Sequence, residues 1–389
     1  MRCQDAPPRS PTRPRLLPLA LALAAAGAAR TAAAADPTGA EPPAPAVGEP
    51  AEVAPSPDGT LRLVPFALPA YQPETSWMLG AAAVLVQQPP AGSGLKESQL
   101  ALVAAVTVRG QVSVALQPDW YLAGDALLLS GGIAFARFPD LFYGIGNDTR
   151  TADEEHYTPM FSEVSAAPAL RVAPALYLGP AVRFQHATMV ELAPGGQLAQ
   201  GTVPGSGGGT TLQLGASGAW DTRDSTIYPR AGTLVRLLAL TAQPAMGSSF
   251  AFSLLRLDGR GYLTLPWGRH VLATQLVLEL RGGEPPFYDT GRLGGDASMR
   301  GYYAGRYRDR QLATAQLEYR APLAGRFGAV AFGSAGNVAR DPAGLAERVK
   351  AAGGLGLRFA PLADVPVNVR LDVAYGSDVS FYLGMGEAF

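Results

Sequence analysis

The sequence predicts an all-β protein, a transmembrane antiparallel β-barrel of about sixteen strands, and three observations carry that prediction. Charged residues make up 16% of the 389, against roughly 25% in a soluble domain. Beyond the N-terminal region no run of about 18 apolar residues could form a spanning helix. Almost everywhere else, apolar and polar residues alternate with period two, the pattern of strands with two unlike faces. Inside hydrocarbon every backbone group needs a partner within the protein, so a chain without spanning helices must close into a barrel. A soluble sandwich shows the same alternation, and the low charge argues against it.

The N-terminus reads as an export signal. Arg2, Arg9, Arg13 and Arg15 form a basic region, residues 16–26 an apolar run, and Ala33-Ala34-Ala35 before Asp36 a cleavage site. Residues 1–35 are therefore expected to be a signal peptide. Cys3, the single cysteine, lies in the basic region, where it is neither a lipid-anchor nor a disulfide cysteine. Residues 36–60 are rich in Pro, Ala, Glu and Gly, and read as a disordered linker. The stretch is too short to fold by itself.

Residues 61–389 then hold the barrel. In 99–109, Leu100, Leu102, Ala104, Val106 and Val108 share one face; in 365–375, Val367, Val369, Leu371 and Val373 oppose Asn368, Arg370 and Asp372. Strands are expected at 61–71, 76–86, 98–109, 111–120, 126–138, 157–171, 176–191, 210–220, 232–243, 249–262, 269–281, 310–320, 326–337, 348–360, 365–375 and 379–389. An even count leaves both ends in the periplasm, which favours keeping the first strand despite Pro65 and Pro69. Those prolines, with Gly384 and Gly386 near the end, predict a weak seam between first and last strands. Connections alternate between short turns and the long segments 138–156, 193–209 and 282–309, short inside and long outside. Trp77, Trp120, Trp220 and Trp267 all fall at strand ends, as interfacial girdles require. The chain ends on Phe389, preceded by Phe381, Leu383 and Met385 at alternating positions, which resembles the C-terminal targeting signal of outer-membrane barrels; Glu387 departs from that series.

The longest outer loop is glycine-rich, with Gly294 and Gly295, and carries five arginines, Arg292, Arg300, Arg306, Arg308 and Arg310. Loops this long without structure of their own are usually functional. Its Arg300-Gly301-Tyr302 resembles the Arg-Gly-aromatic signature of the sixth extracellular loop in the BamA/TamA-like superfamily of outer-membrane assembly and secretion barrels, the bacterial surface antigen family. Asp221-Thr222-Arg223-Asp224 before Pro229 and Gly232 resembles the family's periplasmic turn. Phe332-x-Ser334-x-Gly336 stands where the family has Phe-x-Asp-x-Gly, and residues 138–147 are similar to the subgroup without periplasmic repeat domains. The resemblance implies that the loop folds into the lumen and that Arg300 pairs with acids on the two following strands. Glu318 shares a face with Thr314, Gln316 and Arg320 and can be the first; Ser334 replaces the second, which would leave Arg300 with half its charge compensation.

The resemblance implies insertion or translocation of proteins at the outer membrane, with lipid and client proteins as partners. A passive pore or structural barrel is the alternative, since sixteen strands can enclose a channel. An enzyme would need a convergent nucleophile and base, and His156, His186 and His270 are scattered over a loop and two strands. No metal-ligand cluster or phosphate loop is visible, so no metal or cofactor is expected. A net charge of -1 with no basic cluster gives no sign of nucleic-acid binding.

Overall fold

The computed structural model describes residues 59–90, 92–361 and 368–389; the signal peptide and nearly all of the linker read from the sequence lie outside them. Sixteen long strands form one antiparallel sheet: β1 Thr60–Gln72, β2 Ser76–Gln88, β3 Ser98–Thr107, β4 Val112–Leu122, β5 Leu127–Arg137, β6 Glu155–Ala173, β7 Leu176–Leu192 and β8 Gly209–Asp221, then β9 Gly232–Ala242, β10 Phe252–Thr264, β11 Val271–Gly283, β12 Gln311–Pro322, β13 Phe327–Ala339, β14 Lys350–Phe359, β15 Val369–Tyr375 and β16 Val379–Met385. Each pairs with its neighbours in sequence, and β1 meets β16 to close the barrel.

The side-chain alternation inverts the soluble rule. On β12, Thr314, Gln316, Glu318 and Arg320 are buried while Leu317 is 49% exposed; on β15, Asp372 is fully buried and Leu371 is 45% exposed. Polar residues fill the inside and aliphatic ones form the outer wall, as a lipid-facing barrel requires. Trp77 stands at the outer rim, and Trp120, Trp220 and Trp267 at the inner one.

Strand bounds differ from the sequence reading where strands leave the membrane. β6 and β7 extend past the expected outer ends, and a short strand, Asp140–Phe142, pairs with the outer end of β6. These extensions support a cap built from residues 138–154, 193–208 and 284–310, whose core is Phe142, Tyr157, Leu198 and Phe287. At the other end β16 stops at Met385: Gly386, with φ of +75°, turns the chain, and its amide bonds to the Asn368 carbonyl. Part of the strand expected at 365–375 lies outside the described residues.

Closure is uneven. β1 pairs with β2 along its whole length, from Thr60 opposite Gln88 to Gln72 opposite Ser76, but with β16 only at Tyr71 opposite Leu383. Pro65 and Pro69 offer no N–H to either neighbour, and β16 ends at Met385, so the first part of β1 has no β16 residue opposite it.

Candidate functional site

The loop of residues 284–310 enters the barrel with a shape of its own. Gly291–Leu293 pairs with Tyr307–Asp309 in a small hairpin. Its tip turns on Gly294, φ +105°, where a Cβ would lie 2.2 Å from the Tyr303 carbonyl oxygen, and on Gly295, whose amide donates to the Tyr302 carbonyl at 2.9 Å. Leu293, Met299 and Tyr302 then pack against Leu312 and Val338 of the wall. Gly336 on β13 makes room for this: a Cβ there would stand 2.8 Å from Leu293 Cδ1.

Arg300 is fully buried at the centre. Its Nη2 donates to Glu318 Oε2 at 2.6 Å and its Nη1 to Asp372 Oδ2 at 2.5 Å, while its guanidinium lies 3.5 Å from the centre of the Phe332 ring. Gly301 follows at φ +102°, where a Cβ would be 2.9 Å from the Gly376 nitrogen. Its amide donates to the Tyr382 hydroxyl, and its carbonyl accepts from the Ser377 amide. The Tyr302 hydroxyl donates to the Ala351 carbonyl at 3.3 Å. Of these bonds, the two that Arg300 makes to carboxylates are charge-assisted and the strong ones.

Here the sequence reading needs correction. Ser334 does not stand in for the second acid: its buried hydroxyl meets no partner among the described residues. Asp372 on β15 fills that role, because the curvature of the wall brings β15 round to the guanidinium. Arg300 is thus compensated on both sides. Arg320 also donates to Glu318 at 2.8 Å, and Arg358 to Asp372 at 2.5 Å and to Glu387 at 2.8 Å; Arg370 pairs with Asp296. Four guanidiniums, of Arg300, Arg320, Arg358 and Arg370, face four side-chain carboxylates, of Asp296, Glu318, Asp372 and Glu387, so the side-chain charges balance.

Phe389 also departs from expectation. It is not the end of a lipid-facing strand, for beyond Gly386 the chain turns into the lumen. There Phe389 packs with Ala388, Tyr262 and Ala273, and its backbone carboxylate oxygen accepts from Arg320 at 3.1 Å. The same turn explains Glu387, which breaks the apolar series because it points at Arg358 and not at lipid.

Three further anchors went unread. Asp289 accepts from Arg183 and Gln213, each at 3.0 Å, and ties the loop to β7 and β8 on the opposite wall. Asp140 accepts from the hydroxyls of Tyr157 and Tyr303 and from Arg292. Arg308, fully buried, sits between the rings of Phe142, Tyr157 and Phe287. The inward parity of Arg183 and Gln213 was visible in the sequence; which loop residue they meet was not. At the inner mouth, Asp221 and Arg223 form a two-point pair at 2.9 Å, Asp224 Oδ1 accepts the amides of Ser225, Arg230 and Ala231, and Lys96 donates to the Arg223 carbonyl at 2.6 Å, so this motif is a turn bonded to itself and to the turn between β2 and β3. His186 contacts Thr210 and Thr188, and His270 the Tyr319 hydroxyl; the histidines do not converge.

A closed barrel, lipid-facing outside and polar within, with an outer loop bonded to its inner wall, defines a bacterial outer-membrane barrel whose lumen is occupied by its own loop. The Omp85 superfamily domain matches residues 175–389, more than half of the chain, and the protein belongs to the Omp85 superfamily. No curated protein matches it. Among solved structures it is similar to BamA of Haemophilus ducreyi lacking POTRA domains 1–3, with a TM-score of 0.56 at 16% identity over 84% of this chain and 70% of that one. It is also similar to CdiB of Escherichia coli, with a TM-score of 0.51 at 10% identity over 84% and 67% of the two chains. CdiB of Acinetobacter baumannii gives a TM-score of 0.50 at 9% identity over 84% and 65%. At such identities the likeness is one of fold.

Proposed function

We propose that this barrel aids the insertion or translocation of other proteins at the outer membrane and rests with its lumen occupied. The observation that carries the reading is Arg300, buried between Glu318 and Asp372 and holding the loop inside. Membership of the superfamily supplies the class of client, an unfolded outer-membrane or secreted chain. A passive pore needs an open passage, and the loop, its cap and the tail at Phe389 all occupy the interior. The chemistry proposed is non-covalent: the ion cluster holds a loop and offers no convergent nucleophile and base.

The test is reconstitution in lipid vesicles, with an unfolded outer-membrane barrel added from urea. The protein should raise the rate at which the client becomes protease-resistant, and Arg300→Ala should lower that gain severalfold. No gain over empty vesicles would overturn the proposal, and a large, steady single-channel conductance would favour the pore. Phe389 belongs to the same proposal as the end recognised during the protein's own insertion, before its burial in the lumen. Deleting it should reduce the heat-modifiable, inserted fraction; an undiminished fraction would remove that role.

A further inference from the structure

The outer loop is not the only part of the chain that crosses the lumen. In the inner half, β4 bonds to β8 and β9 although β5, β6 and β7 lie between them in the sheet. Deepest is Asp119 of β4, which accepts from Arg236 of β9 at 2.9 Å. Nearer the inner mouth, the Tyr121 hydroxyl donates to Asp221 of β8 at 3.4 Å, and the Tyr121 ring lies 5.7 Å from that of Tyr177 on β7. At the mouth itself Lys96 Nζ donates to the Arg223 carbonyl at 2.6 Å, while Glu97 Oε2 accepts from the Ser225 hydroxyl at 2.8 Å and from the Thr226 amide at 3.3 Å. Together these contacts brace one wall against another.

Each half of the brace is firmly mounted. The turn between β8 and β9 is shaped by the Asp221–Arg223 pair and by Asp224, and Gly232, φ +96°, folds the chain back so closely that a Cβ there would stand 2.3 Å from the Thr222 carbonyl oxygen. Opposite, the Lys96 amide donates to Asp125 Oδ2 at 2.8 Å, which fixes it to the turn between β4 and β5. The ties between the halves are weaker. Asp119 and Arg236 are 27% and 42% exposed, and Lys96 bonds to a carbonyl and stands 3.9 Å from Asp221. Pairs open to water contribute little and are screened by salt, whereas Arg300 is wholly buried between two acids. No brace residue belongs to the outer loop. Outward of Asp119, Gln117 is exposed on the inner face, and Val103, opposite Ala115 on that face, is 39% exposed, so open lumen lies between brace and loop.

We propose that this brace is a second gate, which closes the inner mouth independently of the outer loop and is the first barrier met by a chain or solute entering from the periplasm. Parting Asp119 from Arg236, and Glu97 from Ser225 and Thr226, opens the way while the turn that carries the Asp-Thr-Arg-Asp motif keeps its own bonds. Asp221, Arg223 and Asp224 are positioning residues for that turn. Such a gate serves a pore as well as an assembly barrel.

The test uses the full chain in lipid nanodiscs with Cys3→Ser and Gln117→Cys as the single thiol, labelled by a maleimide carried on a short polyethylene glycol chain. Labelling should be slow. Arg236→Gln should speed it severalfold, and Arg236→Lys, which keeps the cation, should not. Added salt should speed labelling while the Asp119–Arg236 pair is present and act less once Arg236→Gln has removed it, the mark of a contact that parts in the native protein. Labelling unchanged by Arg236→Gln, or raised only when Arg300→Ala is also present, would overturn the second gate. Equal acceleration by Arg236→Gln and Arg236→Lys, or a rate indifferent to salt with the pair intact, would overturn it too and leave a fixed strut. If Arg236→Gln does not form a heat-modifiable barrel, Glu97→Ala carries the test: faster labelling supports the gate and an unchanged rate overturns it.

Discussion

Arg300 and Arg308 lie in one loop and are both fully buried, yet they are compensated in opposite ways. Arg300 has a carboxylate on each side, from β12 and β15. Arg308 has none within bonding reach among the described residues; it donates to the Tyr157 hydroxyl and to the carbonyls of Leu141 and Gly305, with three aromatic rings around its guanidinium. Guanidinium is hydrated weakly enough to be held this way. The first arrangement ties the loop to the barrel wall and depends on charge. The second ties outer loops to one another and depends on shape and desolvation. Anchor and cap are separable parts of the plug.

The comparison predicts unequal responses. Arg300→Ala should be the most damaging change, because it strips one cation from a buried, balanced cluster; losses of about 3–5 kcal/mol are typical. Heat-modifiability on semi-native gels should fall accordingly, and a double-mutant cycle with Glu318→Gln should return clear coupling. Coupling within error of zero would mean that the anchor is not electrostatic.

Asp372→Asn should cost less, about 1–3 kcal/mol, since Arg300 keeps Glu318 and Arg358 keeps Glu387. A loss equal to that of Arg300→Ala would show that Asp372 is the dominant partner. Arg308→Met should cost about 1–2 kcal/mol and chiefly expose residues 138–154 and 193–208 to limited proteolysis, leaving the wall intact. If Arg308→Met destabilises the barrel more than Arg300→Met does, the division into anchor and cap is wrong.

Ser334→Asp sharpens the point at small amplitude. Were Arg300 short of a second acid, the change would stabilise the barrel. With Asp372 already in place it adds a further side-chain carboxylate to four guanidiniums at a buried position, and the melting midpoint should stay level or drop. A clear rise would reopen the question of how Arg300 is compensated.

Much of the site was legible because strand parity is local. Glu318 could be read as inward from Thr314, Gln316 and Arg320, and Arg370 and Asp372 were visible on one polar face of their strand. What parity cannot supply is the partner. Asp372 reaches Arg300 from three strands beyond Glu318, a distance set by barrel curvature, and Ser334, nearer in the motif, was the wrong inference. Glu387 looked like a flaw in a lipid-facing series until the turn at Gly386 placed it beside Arg358. Asp289 and Arg308 gave no local signal for the barrel residues they meet, since Gln213 and Tyr157 lie more than seventy positions away.

By itself, then, the sequence determined the all-β class, the number of strands, the face that residues within the strands present and the loop that carries the Arg-Gly-Tyr motif, because all of these follow from alternation and turn chemistry within a few residues of chain. The tertiary structure alone decided which carboxylates meet Arg300, that the tail turns inward, and that the turn between β8 and β9 bonds across the lumen. These depend on where distant strands come to lie once the sheet has closed, and closure is a property of the whole ring.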